Sequence, residues 1–231
     1  CVGIHFVTEE GYCSCSSISD GQVGEVTTGL HAKICHDCTR ERNFGSISIG
    51  KNYVAHIIEM NADQRDPPVI FMKPRDAVVR NGGEIPYPVF TENFHYECEL
   101  VVAMGSGRYN IPLSEANQHI FGYAVGLDMT RRDHQLGVIE KGLPWEITKG
   151  FDHSAPIGPI STVKEIGIMT KGHVKLKLNG EVKQDADISL QIWKIDEIIS
   201  KISQQHRLMP GDIIMTGTPA GVGAVVQGDV L

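Results

Sequence analysis

His95-Tyr96-Glu97-Cys98-Glu99-Leu100-Val101-Val102-Ala103-Met104-Gly105 reads as a strand with an acidic start and an apolar remainder. Side chains alternate across a strand, so Glu97 and Glu99 share a face, with Cα atoms about 6–7 Å apart. Tyr96, Cys98, Leu100 and Val102 take the opposite face. Val101 and Ala103 follow Glu99 on its own side and are apolar, so this is not a simple solvent-facing strand. Carboxylates beside a core are costly unless paired or bound to a cation. Two that converge suit a hard divalent ion such as Mg²⁺. The alternative is a half-exposed strand with both glutamates in water.

Downstream, Phe121 to Met129 reads as a second strand, in which Asp128 shares a face with Gly126 and Ala124. Either that face is cleared of bulk where a third acid points, or the small residues only permit close sheet packing. Val174, Leu176 and Leu178 alternate with Lys175 and Lys177, which gives a strand with one buried face. Asn179-Gly180 is a hairpin-turn signal, and Glu181-Val182-Lys183 begins the return strand. Ile195, Ile198, Ile199 and Ile202 follow helical spacing. Ile213 to Thr216 is a strand that opens into Gly217-Thr218-Pro219-Ala220-Gly221-Val222-Gly223, whose N–H groups could cradle an anion. That turn lacks the Lys-Ser/Thr ending of a nucleotide phosphate loop.

Upstream, Ile47 and Ile49 mark a short strand, and Val69 to Met72 another, closed by Lys73-Pro74. A helix over Val54 to Met60 puts His56 and Glu59 at i, i+3 on one face, where the carboxylate orients the imidazole as a general base. Ser114 is expected to cap a short helix ending at His119. Lys149 is either a stabiliser of developing negative charge or a surface lysine. Strands with two or three short helices predict a β-rich α+β fold, two sheets or a distorted barrel, and not a doubly wound α/β fold.

The 231 residues allow one or two domains. A net charge of −7 disfavours a nucleic-acid-wrapping surface. No apolar run approaches the roughly 18 residues of a membrane helix. Residues 1–43 are rich in Ser, Thr, Gly and Cys and read as a loosely ordered extension; residues 44–231 form the main domain. Cys13-x-Cys15 and Cys35-x-x-Cys38 have zinc-site spacing, so a zinc-binding interaction module is one alternative; the other is reduced, metal-free thiols in an intracellular compartment.

Six ordered segments together resemble the fumarylacetoacetate hydrolase superfamily. They are Gly50-Lys51-Asn52-Tyr53 leading to His56 and Glu59; Phe71-Met72-Lys73-Pro74; the His95 to Gly105 strand; Gly126-Leu127-Asp128-Met129-Thr130-Arg131-Arg132-Asp133; Gly142-Leu143-Pro144-Trp145; and Gly211-Asp212 running into Thr216-Gly217-Thr218-Pro219 and Gly221-Val222-Gly223. The look is that of its short, single-domain branch of acylpyruvases and oxaloacetate decarboxylases. The resemblance implies mixed β-sheets rolled into a distorted barrel, a homodimer, and Mg²⁺ or Mn²⁺ held by Glu97, Glu99 and Asp128. It implies a His56–Glu59 dyad that activates water, with Lys149 and Gln135 stabilising an oxyanion and Lys73, Arg132 and Thr218 on the substrate side.

The activity it implies is cleavage of acylpyruvates (2,4-dioxo acids) to pyruvate and a carboxylate, with oxaloacetate decarboxylation beside it. A decarboxylase or isomerase acting on dioxo acids is the rival within the superfamily, and the dyad favours hydrolysis. The resemblance is compatible with the cytoplasm or the mitochondrial matrix. Residues 1–43 match nothing in it, and relatives are expected to continue past Leu231, so the catalytic domain is expected to be truncated there.

Overall fold

The computed structural model describes residues 2–4, 46–53, 67–80 and 83–231. The helix expected over Val54 to Met60, with His56 and Glu59, lies outside the described residues, as do Cys13, Cys15, Cys35 and Cys38.

At the centre, Cys98–Met104 runs antiparallel to Ile120–Leu127 on one side and to Ile213–Met215 on the other. Ser46–Gly50 and Val69–Lys73 extend the sheet beyond Ile213–Met215, and Ala155–Ile157 and Val78–Arg80 extend it beyond Ile120–Leu127. Ser161–Thr162 also pairs with Ile120–Leu127. Ser46–Gly50 is parallel to Ile213–Met215, and Ala155–Ile157 is parallel to Val78–Arg80, so the sheet is mixed; it curls into a half-barrel. Leu100, Val102 and Met104 enter the large core on one face, while Val101 joins Ala77, Ala124, Ala155, Ile157 and Met215 on the other. Both faces are covered, which is why the central strand is apolar on both sides.

The single strand expected from His95 to Met104 is broken at Glu97. Phe94–Tyr96 belongs to a separate three-stranded sheet with Thr130–Arg131 and Gly223–Ala224. The break has a tertiary cause: the Cys98 N–H donates to Gln184 Oε1 at 2.8 Å, and Glu97 O accepts from the Asp128 N–H at 2.8 Å. The next strand stops at Leu127 rather than running to Met129, for Asp128 lies at the matching crossing. Each chain thus passes from one sheet to the other at an acidic residue, and the two acids face each other there.

The hairpin forms as read, His173–Leu178 against Glu181–Asp187, with Asn179 (φ 51°) and Gly180 (φ 86°) both left-handed, as a two-residue primed turn requires. Helix Ile195–Gln205 buries Ile195, Ile198, Ile199 and Ile202, and the Lys194 N–H is satisfied by Glu197 Oε2 at 2.9 Å. Ser114 does not cap a helix. It lies inside the 3₁₀ helix Leu113–His119, which begins behind Pro112, whose fixed φ starts the turn without a side-chain cap. Val2–Ile4 pairs with Gly83–Ile85, and Val2 sits in the large core, so the N-terminal segment is docked at that strand. Among the described residues no helix is long and apolar enough to cross a membrane.

Candidate metal centre

Glu97, Glu99 and Asp128 are all buried, and one carboxylate oxygen from each lies within 4.8 Å of the others. Glu97 comes from the break between sheets, Glu99 from the second position of the central strand, and Asp128 from the end of the neighbouring strand. Glu99 is directly opposite Gly126 in the ladder. A Cβ at Gly126 would stand 2.7 Å from Val101 Cγ2, so this glycine permits close packing across the sheet. Of the two readings of that small face, close packing is the one that Gly126 supports.

Three cationic side chains close on the acids. Lys149 comes from the short helix Glu146–Lys149, and its Nζ donates to Glu97 Oε2 at 2.8 Å, Asp128 Oδ2 at 2.8 Å and Thr130 Oγ1 at 2.7 Å. Lys73 ends its strand with Nζ 2.7 Å from Asp128 Oδ1, and donates to Lys149 O at 2.5 Å and to Ser154 O and Oγ at 3.1 Å each. Arg132 opens helix Arg132–Glu140 and spreads its guanidinium over Glu97 Oε1, Gln135 Oε1 and His95 Nδ1. An arginine must donate, so His95 Nδ1 is the acceptor and Nε2 carries the proton given to Asn93 Oδ1 at 2.8 Å. Burial and then the Arg132 charge push the His95 pKa down to about 4, so this imidazole is neutral at pH 7.

Glu99 has a different environment. Its Oε2 accepts from the Gly217 N–H at 2.8 Å, so the glycine-rich turn spends that N–H on a carboxyl group of the protein itself. Gly217 takes φ 97°, and a Cβ there would stand 2.6 Å from Asn52 Cβ, so the turn needs glycine twice over. Burial, then the charges of Asp128 and Glu97, raise the Glu99 pKa well above the carboxylate range; Lys149 and the Gly217 N–H act the other way. Burial lowers the Lys73 pKa. Burial would lower that of Lys149 too, but Asp128 and Glu97 outweigh it and raise it.

Three converging carboxylates, all hard oxygen donors, fit a divalent ion of the Mg²⁺ or Mn²⁺ type. Glu97 and Glu99 open on a cavity of about 20 Å³, lined also by Lys51, Arg132, Gln135, Trp145, Lys149 and Thr218. The structure therefore brings together Glu97, Glu99, Asp128, Lys149, Gln135, Arg132 and Thr218. Lys73 is not on the cavity wall but behind Asp128.

Sequence reading missed several supports. Gln184 ties the Cys98 N–H to Thr218 Oγ1 (2.8 Å) and Pro219 O (2.9 Å). Thr130 receives Lys149, and Ser154 receives Lys73. Gln184 stands among charged residues on a strand that reads as solvated, so no local signal marks it. Thr130 was within reach, being two residues past an acid on the same segment.

A family model described as fumarylacetoacetate (FAA) hydrolase C-terminal matches residues 46–231. The fumarylpyruvate hydrolase of Ralstonia sp is 42% identical over 159 residues, covering 69% of this chain and 82% of that protein. The mitochondrial oxaloacetate tautomerase FAHD1 of Homo sapiens is 40% identical over 183 residues, covering 79% and 83%. The crystal structure of fumarylpyruvate hydrolase from Pseudomonas aeruginosa, in complex with Mn²⁺ and pyruvate, superposes with a TM-score of 0.78 at 48% identity, over 80% of this chain and 82% of that one.

Proposed function

We propose a function from the premise that this chain belongs to the fumarylacetoacetate hydrolase family: it is a divalent-metal-dependent hydrolase that cleaves acylpyruvates to pyruvate and a carboxylate, and it decarboxylates oxaloacetate at the same site. The observation that carries this reading is the buried convergence of Glu97, Glu99 and Asp128 beside a cavity walled by Glu97, Glu99, Lys149, Arg132 and Gln135. The relatives named for fumarylpyruvate hydrolysis and oxaloacetate tautomerisation support it, since both substrates are 2-oxo acids that react through an enol or enolate.

A divalent ion bound by the three carboxylates would supply Lewis acidity toward the carboxylate and 2-oxo groups of such a substrate. The remaining work falls to the chain. His56, held by Glu59, takes the proton of the attacking water. Gln135 donates through its amide Nε2 to the oxyanion that forms at the distal carbonyl, and Lys149 would join it where an ion has replaced its Nζ at Glu97 and Asp128. Arg132 and Thr218 position the substrate, and Lys73 holds Asp128 in place from behind. Loss of CO₂ from oxaloacetate needs no attacking water, so the dyad is dispensable for it. The working unit is a homodimer.

The test is initial rates on acetylpyruvate, fumarylpyruvate and oxaloacetate with Mg²⁺, with Mn²⁺ and in excess chelator, for the wild type and His56→Ala. Metal-dependent pyruvate release from the acylpyruvates is expected. His56→Ala should cut hydrolysis by roughly 10²–10⁴-fold and spare decarboxylation. Undiminished turnover in chelator would overturn the reading, as would stoichiometric zinc with no turnover.

A further inference from the structure

The hairpin of His173–Leu178 and Glu181–Asp187 carries one irregularity. Its turn sets Leu178 opposite Glu181 and Lys177 opposite Val182, yet Leu176 lies opposite Gln184, so Lys183 is an extra residue, a β-bulge. In an unbroken register Leu176 would face Lys183, and Gln184 would stand opposite Lys175 on the exposed face. The extra residue turns Gln184 instead to the buried face of Val174 and Leu176, where alternation calls for an apolar side chain. Bulges re-aim side chains in this way, and they are frequent next to active sites.

The bulge is seated on the glycine-rich turn. A Cβ at Gly221 would stand 2.2 Å from Lys183 O, so glycine is what lets the two backbones approach this closely. Beyond that contact the buried Gln184 amide joins three groups. Its Oε1 accepts from the Cys98 N–H at 2.8 Å, and its Nε2 donates to Pro219 O at 2.9 Å and to Thr218 Oγ1 at 2.8 Å. The two backbone partners fix which end of the amide is which. Thr218 Oγ1 in turn donates to Cys98 O at 2.9 Å. A buried polar network satisfied in this way stiffens what it joins.

What it joins is the metal centre. Cys98 stands between Glu97 and Glu99, two of the three converging acids, and Glu99 Oε2 is held by Gly217 of the same turn at 2.8 Å. Residues 97–99 and 217–219 are therefore clamped through Glu99 to Gly217, through Cys98 O to Thr218, and through Gln184 from the Cys98 N–H to Thr218 and Pro219. A shift of the backbone at Cys98 would move both glutamates relative to each other and to Asp128.

We infer that Gln184 is a positioning residue of the metal centre: aimed inward by the bulge, it fixes the backbone at Cys98 and with it the relative placement of the Glu97 and Glu99 carboxylates. This rests on the reading of Glu97, Glu99 and Asp128 as that centre.

The test is the Mn²⁺ affinity of the full chain by calorimetry, without substrate, at a temperature where circular dichroism shows the proteins folded. Gln184→Met fills a similar volume and removes the hydrogen bonds; it should weaken Mn²⁺ binding roughly 10–100-fold, as loss of an outer support to metal ligands does. Gln184→Asn keeps the amide but falls one methylene short of Cys98. It should weaken Mn²⁺ binding too, and it carries the comparison if Gln184→Met does not fold. Leu176→Ala truncates the buried neighbour across the hairpin; it should lower the melting temperature and keep the wild-type Mn²⁺ affinity. Wild-type affinity in the folded Gln184 variants, or an equal loss in Leu176→Ala, overturns the positioning role while leaving the metal centre standing. If the wild type itself binds no Mn²⁺, the metal reading fails and this inference falls with it.

Discussion

In the interior, Lys149 Nζ lies 2.8 Å from both Glu97 Oε2 and Asp128 Oδ2. On the hairpin, Lys175 Nζ lies 3.0 Å from Asp185 Oδ2, and Lys183 Nζ lies 2.9 Å from Glu181 Oε2. The distances nearly coincide, but the side chains are 2%, 7% and 1% exposed in the first group, and the lysines are 48% and 32% exposed in the second. Water screens the hairpin pairs and keeps each partner solvated when the other is removed. The interior set has no such fallback, because an unpaired charge there stays desolvated. The same chemistry is therefore a surface feature in one region and, in the other, a constraint that every member must meet.

The sharpest way to break that contrast is to neutralise one acid. Asp128→Asn leaves Lys73 and Lys149 facing an amide and replaces one of three converging carboxylates with a neutral group. Divalent-metal binding by calorimetry should vanish, along with the rise in Tm expected of the wild type in Mg²⁺. Metal-dependent turnover should fall by at least ~10²–10³-fold, as expected when several kcal/mol of transition-state stabilisation is lost. Glu97→Gln should behave alike. Activity that persists in either variant would show that the acids are a structural network and that the chemistry lies elsewhere.

A smaller effect is expected from the cationic side. An ammonium and a divalent ion compete for the same oxygens of Glu97 and Asp128. In excess chelator, Lys149→Met should lose about 3–5 kcal/mol of stability in urea unfolding, the usual cost of stripping one partner from a buried pair. It should also gain more from Mg²⁺ than the wild type does, since no lysine has to be displaced. A variant as stable as the wild type in chelator would mean that Arg132 and Lys73 already neutralise the acids, and the contrast with the hairpin would shrink to nothing.

These two regions were legible in the sequence to different degrees. The hairpin follows from alternation and one Asn-Gly step, both local, and it forms as read. Helix Ile195–Gln205 is equally local. The acids were legible because Glu99 and Asp128 interrupt apolar strands, where a charge needs a reason. What stayed hidden depends on partners far away in sequence. The break at Glu97 needs Gln184, 87 residues on from Glu97 by subtraction of their numbers. Lys73, at the end of a short strand, looks like an ordinary surface lysine until Asp128 and Ser154 are placed around it. The glycine-rich turn was read as a cradle for an anion, and the N–H of Gly217 goes instead to the Glu99 carboxyl, which no local pattern specifies.

The smallest effect belongs to the hairpin, and it sharpens the comparison from the other end. His173 Nδ1 lies 2.6 Å from Asp185 Oδ1, and the His173 and then the Lys175 hydrogen bonds hold the Asp185 pKa below its usual value. A carboxylate depressed on folding stabilises above its unfolded pKa, and that contribution is lost as the pH falls through the folded pKa. The sign thus puts the pair's whole contribution at neutral pH and its loss on the acid side, below about pH 4. Solvent reduces even that, because the carboxylate is a surface group on a two-stranded ribbon. Asp185→Asn should therefore leave the thermal midpoint at pH 7 within measurement error of the wild type, and 1 M salt should not separate the two. The same salt should barely change the loss caused by Lys149→Met, whose partners are shielded from ions by burial. A clear drop in midpoint for Asp185→Asn at pH 7, abolished by salt, would show that the hairpin pairs carry stability despite their exposure, and that burial alone does not separate the two regions.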